Sequence, residues 1–183
     1  MSDGVGNTVL VLVGSLRAAS VNRQLAELAT ESAPEGVTFE WFDRLGELPH
    51  YNEDIDNDDV PDVVVALRET AARADAALVV TPEYNGSIPG VLKNAIDWLS
   101  RPYGEGALKG KPLAVVGASL GQYGGVWAHD ETRKSFGIAG PRVVEGLDLS
   151  VPTNSLDGKH PRENTEVAAR LRDIVGKLAA EIG

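Results

Sequence analysis

Hydroxyl, amide and guanidinium groups in residues 14–23 form the first candidate for chemistry. The segment follows an apolar run and precedes a helical pattern, and backbone N–H groups at a helix start favour an anion. Ser15, Ser20 and Asn22 add neutral donors, and Arg17 adds a guanidinium fork that suits a phosphate. The P-loop and Gly-x-Gly-x-x-Gly patterns are absent. We predict a monophosphate cradle; the alternative is that Ser20 only caps the helix while Arg17 is solvated.

Two further loops have the composition of a site for a flat ring. In residues 81–90, two prolines stiffen the ends, Asn85-Gly86 favours a turn through positive φ, and Tyr84 could form a wall. In residues 119–125, three glycines would let the backbone approach a planar ligand closely. The alternative is that both loops are plain strand-to-helix connections, with Tyr84 packed on its own domain.

Composition excludes several other kinds of site. The chain has no cysteine, which excludes disulfides, cysteine-ligated iron–sulfur clusters and thiolate nucleophiles. Its three histidines are too scattered to form a metal-ligand motif, so we predict no metal site. The net charge of −10 argues against a nucleic-acid-binding face. No apolar run approaches the roughly 20 residues of a membrane span, so we predict no membrane insertion and expect a cytoplasmic protein.

The elements that must position these loops alternate between strand and helix patterns. Apolar runs predict strands at residues 8–13, 37–42, 76–80, 113–118 and 142–144, and residues 147–149 are a candidate continuation of the last one. Helical spacing follows each of them, beginning near residues 20, 61, 90, 122 and 164. This order predicts an α/β fold with three layers, in which helices cover both faces of a five-stranded parallel sheet. Five strands at this length suggest the flavodoxin-like order 2-1-3-4-5, and such sheets bind ligands beyond the carboxyl ends of their strands.

Two of these segments resemble a known family. Gly-Ser-Leu-Arg-x-x-Ser-x-Asn-Arg at residues 14–23 and Pro-Glu-Tyr-Asn-Gly-Ser-x-Pro-Gly-x-Leu-Lys-Asn-Ala-Ile-Asp-Trp-Leu-Ser-Arg-Pro at residues 82–102 closely resemble the NADPH-dependent FMN reductases, which include flavin, quinone, azo-dye and chromate reductases. The resemblance runs from the first strand through Gly125. It implies a single FMN-binding domain over residues 1–183, with residues 1–7 as a flexible lead-in.

The resemblance also assigns site residues by matching position. The FMN phosphate would be held by Ser15, Arg17, Ser20 and Asn22. The isoalloxazine ring would be lined by Pro82, Glu83, Tyr84, Asn85 and Gly86, and its pocket completed by Ser119, Gly121, Gly124 and Gly125. The segment Tyr51-Asn52-Glu53-Asp54 matches one that in relatives lies near the flavin or the subunit interface.

Two departures from the family pattern fall in the region of the acceptor pocket. Leu120 replaces a proline that often follows the serine of the third loop. Beyond Gly125, Val126-Trp127-Ala128-His129-Asp130-Glu131 replaces a helix that usually bears arginine and glutamine. The resemblance therefore supports the FMN site and says less about the substrate pocket and the oligomeric contact.

The mechanism that the resemblance implies needs no catalytic side chain. NADPH or NADH would pass hydride to the flavin, and a small-molecule acceptor such as a quinone, a flavin, an azo compound or a metal oxyanion would then take the same place. We expect Glu83 to cap or solvate and His129 to lie on the surface or in packing. Arg17, Arg101 and Lys109 are candidates for contact with a nicotinamide 2′-phosphate.

Two other functions remain compatible with the same fold. A flavodoxin-type electron carrier is one alternative, although its phosphate loop usually lacks a matching arginine. A flavin-responsive binding or regulatory protein is the other. The resemblance further implies a homodimer or homotetramer, with the helix at residues 90–101 as the expected interface and Trp98 in the core or at that interface.

Overall fold

A five-stranded parallel sheet forms the centre of the protein in the computed structural model, which describes residues 6–183. Its strands are β1 (Asn7–Val13), β2 (Val37–Trp41), β3 (Ala76–Val80), β4 (Pro112–Ser119) and β5 (Arg142–Pro152). Their order in the sheet is β2-β1-β3-β4-β5, so the predicted flavodoxin-like topology is confirmed. Most of the predicted lead-in, residues 1–5, lies outside the described residues.

Helices cover both faces of this sheet, because the strands are apolar on both sides. The helices are α1 (Val21–Glu31), α2 (Asp62–Arg73), α3 (Gly90–Leu99), α4 (Val126–Ala139) and α5 (Thr165–Ala180). Successive strand side chains point to opposite faces. In β1, Val9 and Val11 therefore pack with α1 and α5, whereas Leu10 and Leu12 pack with the buried faces of α2 and α3. Between residues 6 and 183, no helix has both the length and the apolar character needed to cross a bilayer.

Polar caps fix where two of the helices begin. The Ser20 hydroxyl accepts a hydrogen bond from the Asn22 N–H at 3.2 Å, and the Asn164 side chain accepts one from the Val167 N–H at 3.1 Å. Each cap satisfies a backbone donor that has no partner within its own helix. The start of α1 is therefore fixed at the carboxyl end of β1, beside the first candidate loop.

The fifth strand is longer than the sequence pattern predicts. Leu147, Leu149 and Val151 are buried and continue the strand to Pro152. Its pairing with β4 is irregular between Leu113 and Val115, and Gly146, with φ of +77°, interrupts the apolar pattern. One continuous strand therefore reaches the edge of the sheet where the candidate loops lie.

Candidate functional site

The three candidate loops meet in one cleft of about 470 Å³ at the carboxyl edge of the sheet. Eight of the thirteen predicted residues line it, namely Ser15, Arg17, Ser20, Asn22, Pro82, Glu83, Tyr84 and Ser119. Four lining residues were not predicted, namely Val21, Ala118, Leu120 and Thr153. Thr153 follows β5, and its position could have been inferred only from the true length of that strand, which Gly146 conceals.

The first loop is a tight turn that ends in the cap of α1. The Ser20 N–H donates to the Arg17 carbonyl at 3.1 Å, and the Arg17 Nη2 donates to the Ala19 carbonyl at 3.0 Å. Arg17 is the one cationic side chain among the described residues that line the cleft. The loop thus places one guanidinium beside the positive end of a helix dipole, which is an arrangement that favours an anion.

Asn22 connects α1 to the sheet. Its Nδ2 donates to the Ala118 carbonyl at 2.9 Å, and its Oδ1 accepts from the Ala118 N–H at 2.8 Å. Val80 at the end of β3 pairs with Val116, so β3 ends before it reaches Ala118. The Asn22 side-chain amide therefore takes the place of the missing peptide group, and this buried side chain is turned toward the sheet.

The second loop closes as a two-residue turn. Asn85 and Gly86 have φ of +53° and +74°, as the sequence predicts, and the N–H and carbonyl groups of Tyr84 and Ser87 bond each other at 3.1 Å in both directions. Positive φ at both central positions is typical of the tight hairpin turn that Asn-Gly favours. Asn85 and Gly86 form the turn and lie outside the lining of the cleft.

Glu83 and Ser119 tie the second loop to the third. The Glu83 N–H donates to the Ser119 hydroxyl at 2.6 Å, while the Glu83 carboxylate accepts from the Ala128 N–H at 3.1 Å. A carboxylate at the first turn of a helix is stabilised by the helix dipole and by the free N–H groups there. Glu83 therefore caps α4, as expected.

Gly124 of the third loop allows the backbone to pack closely against β5. A Cβ on Gly124 would lie 2.6 Å from backbone carbon atoms of Ser150 and Val151, and the φ of Gly124 is +63°. Gly125 has φ of +96° and is the N-cap residue directly before α4. Gly121, Gly124 and Gly125 do not line the cleft, so their place in the ring pocket rests on the sequence resemblance alone.

His129 is fully buried and makes two hydrogen bonds, so it lies in packing and not on the surface. Its Nε2 lies 2.8 Å from the Thr81 carbonyl, and its Nδ1 lies 2.7 Å from the Ser150 hydroxyl. A carbonyl only accepts, so Nε2 carries the proton and Nδ1 accepts from Ser150. Gly117 makes room for this contact, because a Cβ there would lie 2.6 Å from His129 Nε2 and closer still to the Thr81 carbonyl oxygen.

Burial lowers the pKa of His129 below its ordinary value of 6.5. The hydrogen bond to the Thr81 carbonyl opposes this shift, and the nearby Arg133 adds to it. Glu83 and Asp130 raise the pKa but do not outweigh burial. The ring is therefore neutral when the protein is folded at neutral pH, with both nitrogens occupied by structural partners.

The segment around Tyr51 is held by α3. The Tyr51 N–H donates to Asn94 Oδ1 at 2.8 Å, and Trp98 Nε1 donates to the Pro49 carbonyl at 2.8 Å. The rings of Tyr51 and Trp98 meet edge to face with centroids 4.9 Å apart. Trp98 is fully buried, so the expectation that it belongs to the core is confirmed within this chain.

Arg101 and Lys109, two predicted candidates for a nicotinamide phosphate, do not reach the cleft. They line a separate groove between the ends of α3 and α4, at the amino edge of the sheet. Both follow the carboxyl end of α3 and precede β4, and this connection lies at the edge opposite the cleft. Within residues 6–183, no group of three histidine, aspartate or glutamate side chains forms a metal site.

Most of the chain matches the sequence profile of one known protein family. Residues 7–155 match the sequence profile described as NADPH-dependent FMN reductase. The chain belongs to this family. The predicted FMN-dependent NAD(P)H oxidoreductase is thereby confirmed as its enzyme class, with FMN as cofactor and NADPH or NADH as electron donor.

Individual family relatives and one solved structure agree. A 2-hydroxy-1,4-benzoquinone reductase of Burkholderia is 47% identical over 125 residues, covering 68% of this chain and 67% of the relative. A quinone reductase of Pseudomonas putida is 48% identical over 129 residues, covering 70% and 69%. The solved flavoenzyme NAD(P)H:(acceptor) oxidoreductase FerB of Paracoccus denitrificans is 36% identical with a TM-score of 0.83, covering 96% of this chain and 97% of its own.

We predict that His129 makes folding more sensitive to acid. The unfolded chain takes up a proton on this residue near pH 6.5, whereas the folded protein resists until its lowered pKa is reached. The contribution is therefore complete above pH 6.5 and is lost as the pH falls toward the folded pKa. Urea unfolding between pH 8 and 5 should show an extra loss of up to about 1.4 kcal/mol per pH unit in the wild type relative to His129→Gln.

The exposed His50 supplies the matched control for this measurement. His50→Gln should keep the pH dependence of the wild type. Equal slopes for the wild type and His129→Gln would contradict the assignment of a buried, neutral imidazole.

Proposed function

We propose that the cleft binds FMN with its phosphate at the first loop and its ring along the second and third loops, and that the enzyme reduces quinones. The observation that supports this proposal most directly is that the two ends of the cleft differ in charge and rigidity. Arg17, the one lining cation within residues 6–183, lies beside the start of α1, and the rigid segments at Pro82–Tyr84 and Ser119–Leu120 lie at the other end. We further propose that residues 1–183 form a single domain.

The phosphate end fits the group that it would hold. The Ser15 and Ser20 hydroxyls lie in the lining with Arg17. Each accepts one backbone hydrogen bond, Ser15 from the Arg17 N–H and Ser20 from the Asn22 N–H, so each O–H can still donate to a phosphate oxygen. Arg17 uses one N–H of its guanidinium for the Ala19 carbonyl, and its other donors suit phosphate oxygens. Because Asn22 is engaged with Ala118, we propose that it supports the cradle by orienting α1 and that its own amide is not a phosphate ligand.

The ring end fits a flat, rigid group. The volume of about 470 Å³ is within the roughly 300–1,000 Å³ typical of cofactor sites. Hydrogen bonds from Glu83 to Ser119 and from Ala128 to Glu83 fix the two loops relative to each other. A wall held in this way orients a ring without a large entropy loss on binding.

When bound, FMN supplies the two-electron redox chemistry, and the protein supplies binding, orientation and electrostatics. In the overall reaction NAD(P)H gives up a hydride, and a quinone gains two electrons and two protons to become a hydroquinone, the second proton coming from water. Glu83 caps α4 and His129 is buried with both nitrogens bonded. We therefore assign no side chain of the cleft to proton transfer.

Quinones are proposed as acceptors because the relatives that are 47% and 48% identical carry the names of quinone reductases. NADPH and NADH are both proposed as donors, since Arg17 is the single predicted 2′-phosphate candidate at the cleft and it is assigned to FMN. A cytoplasmic location is proposed, because both nicotinamides are intracellular.

The test of this function is anaerobic stopped-flow absorbance of the FMN-loaded protein. NADPH or NADH should bleach the flavin band within seconds, and 2-methyl-1,4-naphthoquinone should restore it with one hydroquinone formed per flavin. No reduction by either nicotinamide would reject the reductase. Reduction without reoxidation by any quinone would reject the acceptor class.

We predict that Arg17→Ala weakens FMN binding by about tenfold or more, since a hydrogen bond to a charged group contributes roughly 1.5–3 kcal/mol. Calorimetric titration of FMN into the FMN-free protein measures this. Arg23→Ala is the matched control, because Arg23 lies six residues away but pairs with Glu27 and Asp43 outside the cleft lining. Equal losses in both variants would show a general charge effect and would contradict the cradle.

We also propose a homodimer, or a homotetramer built from two such dimers, that forms through the face of α3 and α4. The groove there is lined by Lys93, Asp97 and Ile138, and Ile138 is 76% exposed. A two-fold axis brings the same face of both subunits together. The Lys93 ammonium of each subunit can then meet the Asp97 carboxylate of the other.

Ile138→Arg should therefore dissociate the assembly, because two buried like charges would meet near the two-fold axis. Sedimentation velocity should show a monomer for this variant and a dimer or tetramer for the wild type and for Ile138→Leu. A monomeric wild type would contradict the interface.

A further inference from the structure

Large hydrophobic side chains are exposed mainly at the edge of the sheet that carries the cleft. Seven such side chains are exposed among residues 6–183, and five of them lie in or next to the three loops, namely Leu16, Tyr84, Leu120, Tyr123 and Trp127. The other two, Tyr103 and Ile138, lie near the opposite edge. A cluster of exposed apolar groups around a polar cleft marks a surface that binds either a ligand or another protein chain.

Tyr123 and Trp127 form a pair within this cluster. Their ring centroids are 5.9 Å apart with an interplanar angle of 51°, and 58% and 57% of their surfaces remain exposed. A Cβ on Gly86 would lie 3.8 Å from the Trp127 ring, so the indole also lies beside the turn of the second loop. The pair thus borders the wall proposed for the flavin ring and leaves much of its aromatic surface free.

The support beneath this pair is rigid. Trp127 lies in the first turn of α4, where the Glu83 carboxylate accepts from the next residue, Ala128. Tyr123 precedes Gly124, which packs directly against the backbone of β5. Aromatic groups held by such contacts lose little entropy when a ligand binds, so their contact area contributes to affinity.

The charges beside the pair are acidic. Glu131 lies one turn after Trp127, and its carboxylate accepts a hydrogen bond from the Ser87 hydroxyl at 3.2 Å. Glu83 contributes a second carboxylate nearby, whereas Arg17 lies on the first loop. A negatively charged acceptor would meet repulsion at this rim, and an uncharged one would not.

We propose that Tyr123 and Trp127 form an aromatic platform that binds the ring of an uncharged, planar acceptor, and that Glu131 disfavours anionic acceptors. The proposal rests on the proposed quinone reductase function and names the acceptor class within it. The platform lies beside the second loop and outside the lining of the cleft, so we expect it to affect acceptor binding and not FMN binding or the rate of flavin reduction at saturating NADPH.

The kinetic test compares Trp127→Ala and Tyr123→Ala with the wild type at saturating NADPH. For 2-methyl-1,4-naphthoquinone, kcat/KM should fall by about five- to tenfold through KM, as expected for the loss of an aromatic contact and its buried area. Ferricyanide, which cannot stack, should show less than a twofold change, as should flavin reduction by NADPH. Tyr103→Ala is the matched control, because it removes a tyrosine that is 86% exposed and lies near the opposite edge.

The charge test uses 1,4-naphthoquinone-2-sulfonate as an anionic acceptor of the same shape. Glu131→Gln should raise its kcat/KM by about two- to fivefold, in the range expected for one exposed ion contact. The same variant should leave kcat/KM for the uncharged quinone unchanged. An equal change for both quinones would overturn the role of Glu131.

A binding measurement separates this proposal from the proposed function. Calorimetric titration of 1,4-dimethoxynaphthalene, which is planar, uncharged and not reducible, should give a Kd that rises about five- to tenfold in Trp127→Ala and stays constant in Tyr103→Ala. An unchanged Kd and KM would overturn the platform even in an active reductase. A wild type that reduces no quinone but binds the analogue through Trp127 would refute the function and retain the platform.

A second copy of the chain is the other possible occupant of this surface. Sedimentation velocity of Trp127→Ala should therefore show the same assembly as the wild type. Dissociation of this variant would mean that a neighbouring subunit covers the pair, and it would overturn the platform.

Discussion

The early end of β3 is the constraint on which the site depends. Val80 pairs with Val116 and the Thr81 N–H still donates to the Val116 carbonyl at 3.0 Å, but β4 continues to Ser119. The Thr81 carbonyl and the N–H and carbonyl of Ala118 therefore have no strand partner on that side, although both residues are buried. A buried peptide group without a hydrogen bond costs about 1–3 kcal/mol. His129 satisfies the Thr81 carbonyl, and Asn22 satisfies both polar groups of Ala118. These substitutes fasten α4 and α1 to the sheet beside the cleft.

The same gap explains why glycines are needed around Thr81. A Cβ on Gly14 would lie 2.4 Å from the Thr81 hydroxyl oxygen, and one on Gly117 would collide with the Thr81 carbonyl and the His129 ring. Glycine directly after β1 and glycine within β4 therefore leave room for the Thr81 side chain and for the hydrogen bond between the Thr81 carbonyl and His129. Because Pro82 and Glu83 follow directly, the geometry of the proposed ring wall is set by contacts made beneath it.

Much of the fold could be predicted from sequence, because strands, helices and tight turns depend on local residue patterns. Apolar runs identified the strands, and the positive φ at Asn85-Gly86 follows from the intrinsic preference of that dipeptide. The roles of Asn22 and His129 could not be predicted in this way, since their partners are 96 and 48 residues away. The sequence predicts that Gly124 approaches a ligand, but it approaches β5 instead. A glycine required for packing against a strand cannot be distinguished by sequence from one required for packing against a ligand.

Different loops supply the proposed cofactor contacts and the proposed acceptor contacts, so acceptor preference can change by substitutions in one loop alone. The cation and the helix start at the proposed phosphate end belong to residues 14–23, whereas the aromatic pair and Glu131 belong to the third loop and α4. By its sequence resemblance, the chain is expected to keep the family motif in the former and to depart from it at Leu120 and at residues 126–131. Since Glu83 caps α4 through backbone groups, side chains on that first turn can vary without loosening the ring wall. Acceptor preference can therefore diverge while the cofactor site is held constant by the polar contacts under it.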